Sequence, residues 1–476
     1  MRFGTDGLRG VAGAELTPEL ALALGRAAAR VLGADRWFVG RDPRRSGSLL
    51  AAALSAGLAA EGAAVADVGV LPTPGLAFLS QAEGAPAAVV SASHNPYADN
   101  GIKLFAAGGR KLADEVERRI EAELASGAGG LVPASGAGGL VPASGAGGLG
   151  FASGAGGLGL ASGAGGLAGA DLGTVATLDG AVERYGDHLV ATLEGRDLAG
   201  LRVVLDTANG AGVVVGPAVL RRLGCDVLAV LGAEPDGLNI NAGCGSTHLG
   251  PLAKAVVATG ADVGIALDGD ADRCLAVDHR GEIVDGDQML ALLALDLQQH
   301  GRLERDTVVV TVMSNLGLHL AMAAAGVRLE TTAVGDRYVL DRMEEGGYTL
   351  GGEQSGHVIL RRLATTGDGL LTALQVLDVV LRSGRPLAEL AGVVQRLPQV
   401  LLNVPVVGSA RQVLAASEAV TAAVAEVEAE LGGSGRVLLR PSGTEPLVRV
   451  MVEAPTDTAA ADAARRIADA VEASLA

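Results

Sequence analysis

The run Pro86-Ala87-Ala88-Val89-Val90 is apolar throughout and stops abruptly at Ser91-Ala92-Ser93-His94-Asn95-Pro96. Such a run reads as a short buried strand. A strand that ends in small hydroxyl residues and Asn-Pro hands a side chain to the mouth of a sheet, where ligands bind in open α/β folds. The same device recurs. Val263-Gly264-Ile265-Ala266-Leu267 runs into Asp268-Gly269-Asp270-Ala271-Asp272-Arg273, and Tyr348-Thr349-Leu350 into Gly351-Gly352-Glu353-Gln354-Ser355-Gly356-His357. Val437-Leu438-Leu439 runs into Arg440-Pro441-Ser442-Gly443-Thr444-Glu445-Pro446, with Arg449 on the strand that follows.

Helical and strand patterns alternate between these stretches. Thr17 caps an Ala/Leu-rich helix with Pro18 in its first turn. Strands are predicted at 37–40 and 63–70, with a helix over 47–61 between them. This βα rhythm predicts doubly wound, mixed α/β sheets. At 476 residues the chain exceeds one ordinary core, so several domains are expected. We place them at 1–177, 178–281, 282–396 and 397–476. The third has strands near 307–312 and 348–352. The last pairs strands near 402–407, 435–440 and 447–453 with helices at 411–431 and 457–474, which predicts a small α+β unit. Only 2% of residues are aromatic while 49% are apolar, so the cores must be built from Ala, Val and Leu.

Residues 125–169 differ in kind. They are five copies of a nine-residue unit, Ala-Ser-Gly-Ala-Gly-Gly-Leu-x-x, starting at Ala125, Ala134, Ala143, Ala152 and Ala161. A calcium-binding β-roll of this period needs an Asp in each unit, and there is none. With so much Gly and one Leu per unit, burial cannot offset the ordering entropy. A flexible insertion is expected, and its deletion should leave activity nearly intact.

The net charge of −17 disfavours nucleic acid and anionic membrane surfaces as partners. An anionic ligand would need a locally basic site, built mostly from Arg because only Lys103, Lys111 and Lys254 are lysines. Cys225, Cys244 and Cys274 are widely spaced and read as buried reduced thiols. There is no apolar leader at the N-terminus and no run near the ~18 residues of a spanning helix. A cytoplasmic protein is expected.

Three carboxylates, Asp268, Asp270 and Asp272, alternate with Gly and Ala straight after a strand. Their mutual repulsion is relieved by a divalent cation. An EF-hand is excluded, since its sixth and twelfth positions would be Arg273 and His279 rather than Gly and Glu. Oxygen ligands alone favour Mg²⁺ over Zn²⁺. Such an ion suits phosphoryl transfer, and Ser93 is the best available hydroxyl to carry the group. Glu353 and Ser355, two apart, suit vicinal sugar hydroxyls. Arg440, Ser442, Gly443, Thr444 and Arg449 read as a phosphate cradle. The stretch Asp206–Gly212 superficially matches a dinucleotide fingerprint, but Val215 stands where the third glycine belongs.

Taken together with Arg2–Gly10 and Asp99-Asn100-Gly101-Ile102-Lys103, these motifs are multiple and ordered. The chain resembles the α-D-phosphohexomutase superfamily everywhere except the repeats. Gln354, Pro235–Asn241 and Met313–Leu318 are similar to its glucosamine branch. The resemblance implies four domains around a central cleft: three related mixed α/β-sheet domains and a smaller α+β C-terminal domain. It implies interconversion of glucosamine 6-phosphate and glucosamine 1-phosphate through a phosphoserine at Ser93 and a hexosamine 1,6-bisphosphate. One Mg²⁺ would be held by Ser93, Asp268, Asp270 and Asp272. Arg9, Arg41 and Lys103 would add positive charge, and Lys103 or His94 would move protons. The partner is a small phosphosugar, with a homodimer left open. Three rivals are weighed: a phosphomannomutase/phosphoglucomutase, a serine-nucleophile metal-dependent phosphohydrolase, and a non-catalytic phosphosugar sensor. A phosphohydrolase would usually need several metal-binding histidines, and the seven here are scattered. A sensor would be expected to have lost Ser93 or an aspartate.

Overall fold

The computed structural model describes residues 3–4, 7–126, 167, 169–406, 417–441 and 447–474. The repeats between 127 and 166, and Ser442, Gly443 and Thr444, lie outside them. The first helix, Pro18–Leu32, begins as its sequence demands: Thr17 Oγ1 accepts the Leu20 N–H at 3.3 Å, and Gly33 closes it at φ 60°. It packs on the helix Gly47–Ala60 almost backbone to backbone. A Cβ at Gly25 would meet Leu54 O, and one at Gly57 would meet Leu22 O. Small residues therefore let an aromatic-poor core reach close packing.

Among the described residues, four sheets follow one another along the chain. In the first, parallel strands Ala87–Val90, Arg36–Arg41, Ala64–Val70 and Val175–Thr177 are flanked by antiparallel Asp99–Ala106 and Leu8–Val11. The strand Val175–Thr177 follows the repeats, so the chain returns to its first sheet after them. The second sheet centres on Val263–Leu267, parallel to Arg202–Asp206 and antiparallel to Cys274–Asp278. In the third, Leu350–Gly352 lies parallel to Thr307–Thr311 and antiparallel to Val358–Leu360. The fourth is antiparallel throughout: Gln399–Pro405, Leu447–Glu453, Arg436–Pro441.

The three mixed sheets share one device. In each, a strand parallel to one neighbour is linked by a short loop to an antiparallel strand beside it. Those links are the Ser93, Asp268 and Glu353 loops, so these three chemically distinctive loops sit at strand ends. Arg440 lies near the end of the strand Arg436–Pro441, which is antiparallel to Leu447–Glu453. One continuous apolar core joins the first three units, from Phe38 and Leu76 through Leu205 and Ile265 to Val310 and Leu350. The fourth packs its own core around Val404, Val450 and Ile467. Cys225, Cys244 and Cys274 are buried and unpaired, and burial pushes the first two thiols up to about 12 and about 11.

Candidate active site

Ser93 sits in the left-handed region, at φ 52°, where a side chain is strained. The loop is held there by buried donors. Its N–H donates to Ser91 Oγ at 2.9 Å, and Ser91 Oγ donates to Asp42 at 2.6 Å. Arg44, fully buried, donates to the carbonyls of Ser93 (2.9 Å), Asn95 (2.8 Å), Asp99 (3.1 Å) and Pro96, while Asp42 neutralises it at 2.9 Å. Asn241, from the second unit, donates to the Ser93 and Asn95 carbonyls at 2.9 and 3.1 Å. Arg44 escaped the sequence reading, and Asn241 lies in a stretch that the sequence singled out but was given no role there. Arg41, expected to face the reacting group, instead reaches Asp67 at 3.4 Å.

Asp268, Asp270 and Asp272 converge, with one oxygen of each within 4.8 Å of the others. Ser93 Oγ donates to Asp268 Oδ2. Thr73 Oγ1 donates to Asp270 at 2.6 Å, and Lys103 Nζ reaches Asp270 at 2.7 Å and Asp272 at 3.1 Å. The two loops touch: a Cβ at Gly269 would stand 2.6 Å from Ser93 O. The loop Asp206–Gly212 lies beneath, with the Ala211 N–H donating to Gly269 O at 2.8 Å. That stretch supports the aspartates, so its glycines serve packing. Burial, then Asp272 and Asp270, raise the Asp268 carboxyl well above its usual range. Asp270 Oδ1 and Asp272 Oδ1 are buried and accept no hydrogen bond among the described residues. A crowded carboxylate cluster with open lone pairs fits a hard divalent cation.

Two histidines flank this centre. His94 Nδ1 lies 3.5 Å from Ser93 Oγ, and burial, Arg273 and Arg9 push its pKa down to about 4, so the ring is neutral. His357 is the reverse. Burial opposes its proton, but Asp272 (3.8 Å from Nδ1) and Asp336 (3.3 Å from Nε2) push the pKa up to about 10. The Gly367 N–H also points at Nε2 from 3.0 Å, an arrangement suited to a neutral ring. The two carboxylates favour a proton on the ring, and the Gly367 N–H opposes one at Nε2. His357 lies in a stretch that the sequence singled out, but its role depends on Asp336, 21 positions earlier in the chain.

A cavity of about 610 Å³ opens beside His94 and Arg273. All four sheet units line it, through His94, Arg273, Glu353 and Arg449 respectively. Glu353 accepts the Gly335 N–H at 3.1 Å, and Ser355 Oγ lies 3.4 Å from its other oxygen. Arg440 and Arg449 are directly opposed across the fourth sheet. Burial and Arg449 lower the Arg440 pKa, and such a like-charge pair favours an anion between its members.

Four profiles of one family match in order: Phosphoglucomutase/phosphomannomutase alpha/beta/alpha domain I over 1–129, domain II over 183–281, domain III over 285–397 and the C-terminal domain over 401–470. The chain belongs to the phosphoglucomutase/phosphomannomutase family. Among curated relatives, the Phosphoglucosamine mutase of Nocardia farcinica is 54% identical, over 98% of this chain and 99% of the relative. That of Nocardioides sp. is also 54% identical, over 100% and 99%. Among solved structures, a putative phosphomannomutase from Thermus thermophilus has a TM-score of 0.74 at 25% identity, covering 98% of this chain and 99% of that one. An Aspergillus fumigatus N-acetylphosphoglucosamine mutase, solved with GlcNAc-6P and magnesium, has a TM-score of 0.64 at 18% identity over 100% and 96%, and shows the shared fold.

Proposed function

We propose that the chain is a mutase interconverting glucosamine 6-phosphate and glucosamine 1-phosphate, supplying UDP-N-acetylglucosamine synthesis. One observation carries the chemistry: the Ser93 hydroxyl, buried and strained, donates to Asp268 at the edge of the carboxylate cluster. Full-length relatives of that name at 54% identity support the sugar.

In this reading Ser93 carries a phosphoryl group. Asp268, Asp270, Asp272 and the Ser93 phosphate would hold one Mg²⁺, which when bound offsets charge on the transferring group. The Oγ–phosphorus bond breaks as the free sugar hydroxyl bonds to phosphorus, giving the 1,6-bisphosphate. After the sugar turns over, its other phosphate returns to Ser93. His94, neutral and 3.5 Å from Ser93 Oγ, takes the hydroxyl proton in this reading. Lys103, tied to two carboxylates, serves as counter-charge together with Arg9. Arg440 and Arg449, with Ser442, Gly443 and Thr444 of the same loop, hold the phosphate that is not reacting. Glu353 and Ser355 hold hydroxyls common to both orientations.

The test is a coupled assay of purified protein on glucosamine 6-phosphate, with and without Mg²⁺ and a catalytic amount of hexose bisphosphate. Turnover should need the metal and rise with the bisphosphate. Faster turnover of glucose or mannose phosphates would move the assignment to a sister enzyme. Release of free phosphate equal to substrate loss would make it a phosphohydrolase.

A further inference from the structure

The cavity contains a carboxylate to which this mechanism gives no task. Asp285 follows the short strand Ile283–Val284 and begins the helix Gly286–Gln299. Its Oδ1 accepts the Gln288 N–H at 3.1 Å, and Gln288 Oε1 accepts the Asp285 N–H at 3.1 Å, a reciprocal cap. Asparagine caps as well as aspartate, so capping does not account for the charge. Asp285 is only 6% exposed, yet it lines the cavity. Its pairing with Arg396 is loose: 3.7 Å to Oδ2, from a guanidinium side chain that is 55% exposed. Burial raises its pKa, against the Gln288 N–H, Arg396, the Asp287 N–H and the Gln354 side chain, so burial outweighs the groups that favour its charge. Gln354 is close enough to lower that pKa, yet its Nε2 is buried without a hydrogen bond among the described residues.

The charges around the cavity can be apportioned. Arginines 273 and 449 suit phosphate, and Glu353 with Ser355 suits vicinal hydroxyls. A hexose phosphate without an amine asks for nothing more. A hexosamine phosphate brings one additional group, an ammonium, and Asp285 is the remaining anion on the wall. We propose that Asp285 is the specificity residue that selects a 2-ammonium over a 2-hydroxyl, and that Gln354 Nε2 donates to an adjacent sugar oxygen. The proposal rests on the mutase reading above. A carboxylate accepts from either group, but only the ammonium adds an attraction between opposite charges, which a buried wall screens less than water does.

The experiment compares wild type with Asp285→Asn, which keeps the helix cap and removes the charge. In each, kcat/KM is measured for glucosamine 6-phosphate and glucose 6-phosphate, and their ratio is read. The ratio should fall about tenfold or more in the variant, mostly through KM for the amino sugar. An unchanged ratio overturns the proposal. Should the variant not fold, wild type alone decides: its ratio should decline as the sugar amine loses its proton above about pH 8. The groups facing Asp285 and the ligand (Arg396, Asp287, Glu353, Arg273, Arg449 and His94) act on both sugars, so their titration largely cancels in the ratio. A ratio flat through that range overturns the proposal. A wild type inactive on glucosamine 6-phosphate defeats the mutase reading itself, which is a separate outcome.

Discussion

Ser93, Lys103, Asp268 and Asp270 are at most 1% exposed, and each is held by a partner fixed elsewhere in the fold. Across the cavity, Glu353, Gln354, Ser355 and Arg449 are only partly buried, as is Arg440, paired with Arg449 in the fourth sheet. The reacting side is pre-built, down to a strained serine braced by a buried arginine. The binding side leaves groups open for a ligand to order. Preorganisation is worth most where charge develops in the transition state, and least where ground state and transition state are gripped alike. Substitutions on the first side should therefore cut kcat, and those on the second should raise KM.

The largest effect is expected at the nucleophile. Ser93→Ala should lower kcat by about four orders of magnitude or more, by analogy with loss of other covalent nucleophiles. Intact-mass analysis should show the phosphoryl adduct of the wild type disappear. Asp270→Ala, or removal of divalent metal by chelation, should also cost orders of magnitude, and excess substrate should not restore the rate. A Ser93→Ala enzyme with near-full turnover would leave the reacting side with no chemistry.

Arg44→Lys probes the brace itself. A lysine cannot span the four carbonyls that Arg44 reaches. kcat should drop about ten- to a hundredfold with KM little changed, as for other supporting groups behind a catalytic centre. A change confined to KM would place Arg44 on the wrong side of the comparison. Glu353→Gln is its counterpart. Glutamine still accepts the Gly335 N–H, so the loop should stand, while KM rises about tenfold and kcat falls less. A pure kcat defect would mean that the binding side grips the transition state in preference to the ground state, just as the Ser93 side does.

The four loops were legible because each is local: an apolar strand followed at once by polar residues in sequence order. The braces were not. In Arg41-Asp42-Pro43-Arg44-Arg45 nothing local tells which arginine turns inward, and the structure sends Arg41 to Asp67 and Arg44 under Ser93. Asn241 reaches Ser93 across 148 positions, and Thr73 reaches Asp270 across 197. Pairings at that separation leave no periodic trace. The same strand-then-polar rule would have found Asp285, but Ile283–Val284 is a two-residue strand, too short for a period-two signal. Leu350–Gly352 was misjudged at its start for a similar reason: two of its three residues are glycine, so Tyr348 and Thr349 looked like the better strand.

The smallest expected effect tests the joint behind the binding side. There the Leu316 N–H donates to Glu453 at 2.8 Å, Arg436 donates to Ser314 O at 2.7 Å, and the Asn315 N–H donates to Asp287 at 2.7 Å. Asp287 is 1% exposed, and burial, then Asp285, push its pKa up to about 7. In the unfolded chain the same carboxyl titrates near 4. Between those values the folded state holds a proton that the unfolded state has lost, so rising pH favours unfolding. This group's contribution to stability is therefore greatest below about pH 4, declines to about pH 7 and is flat above, a change of at most about 4 kcal/mol. Asp287→Asn removes the dependence while keeping an acceptor for Asn315. The melting temperature of the variant minus that of wild type should climb by a few degrees from pH 5 to pH 7.5 and then level. A difference that does not move with pH would show this joint to be as settled as the ground under Ser93, and the contrast between the two sides would then be confined to the cavity wall.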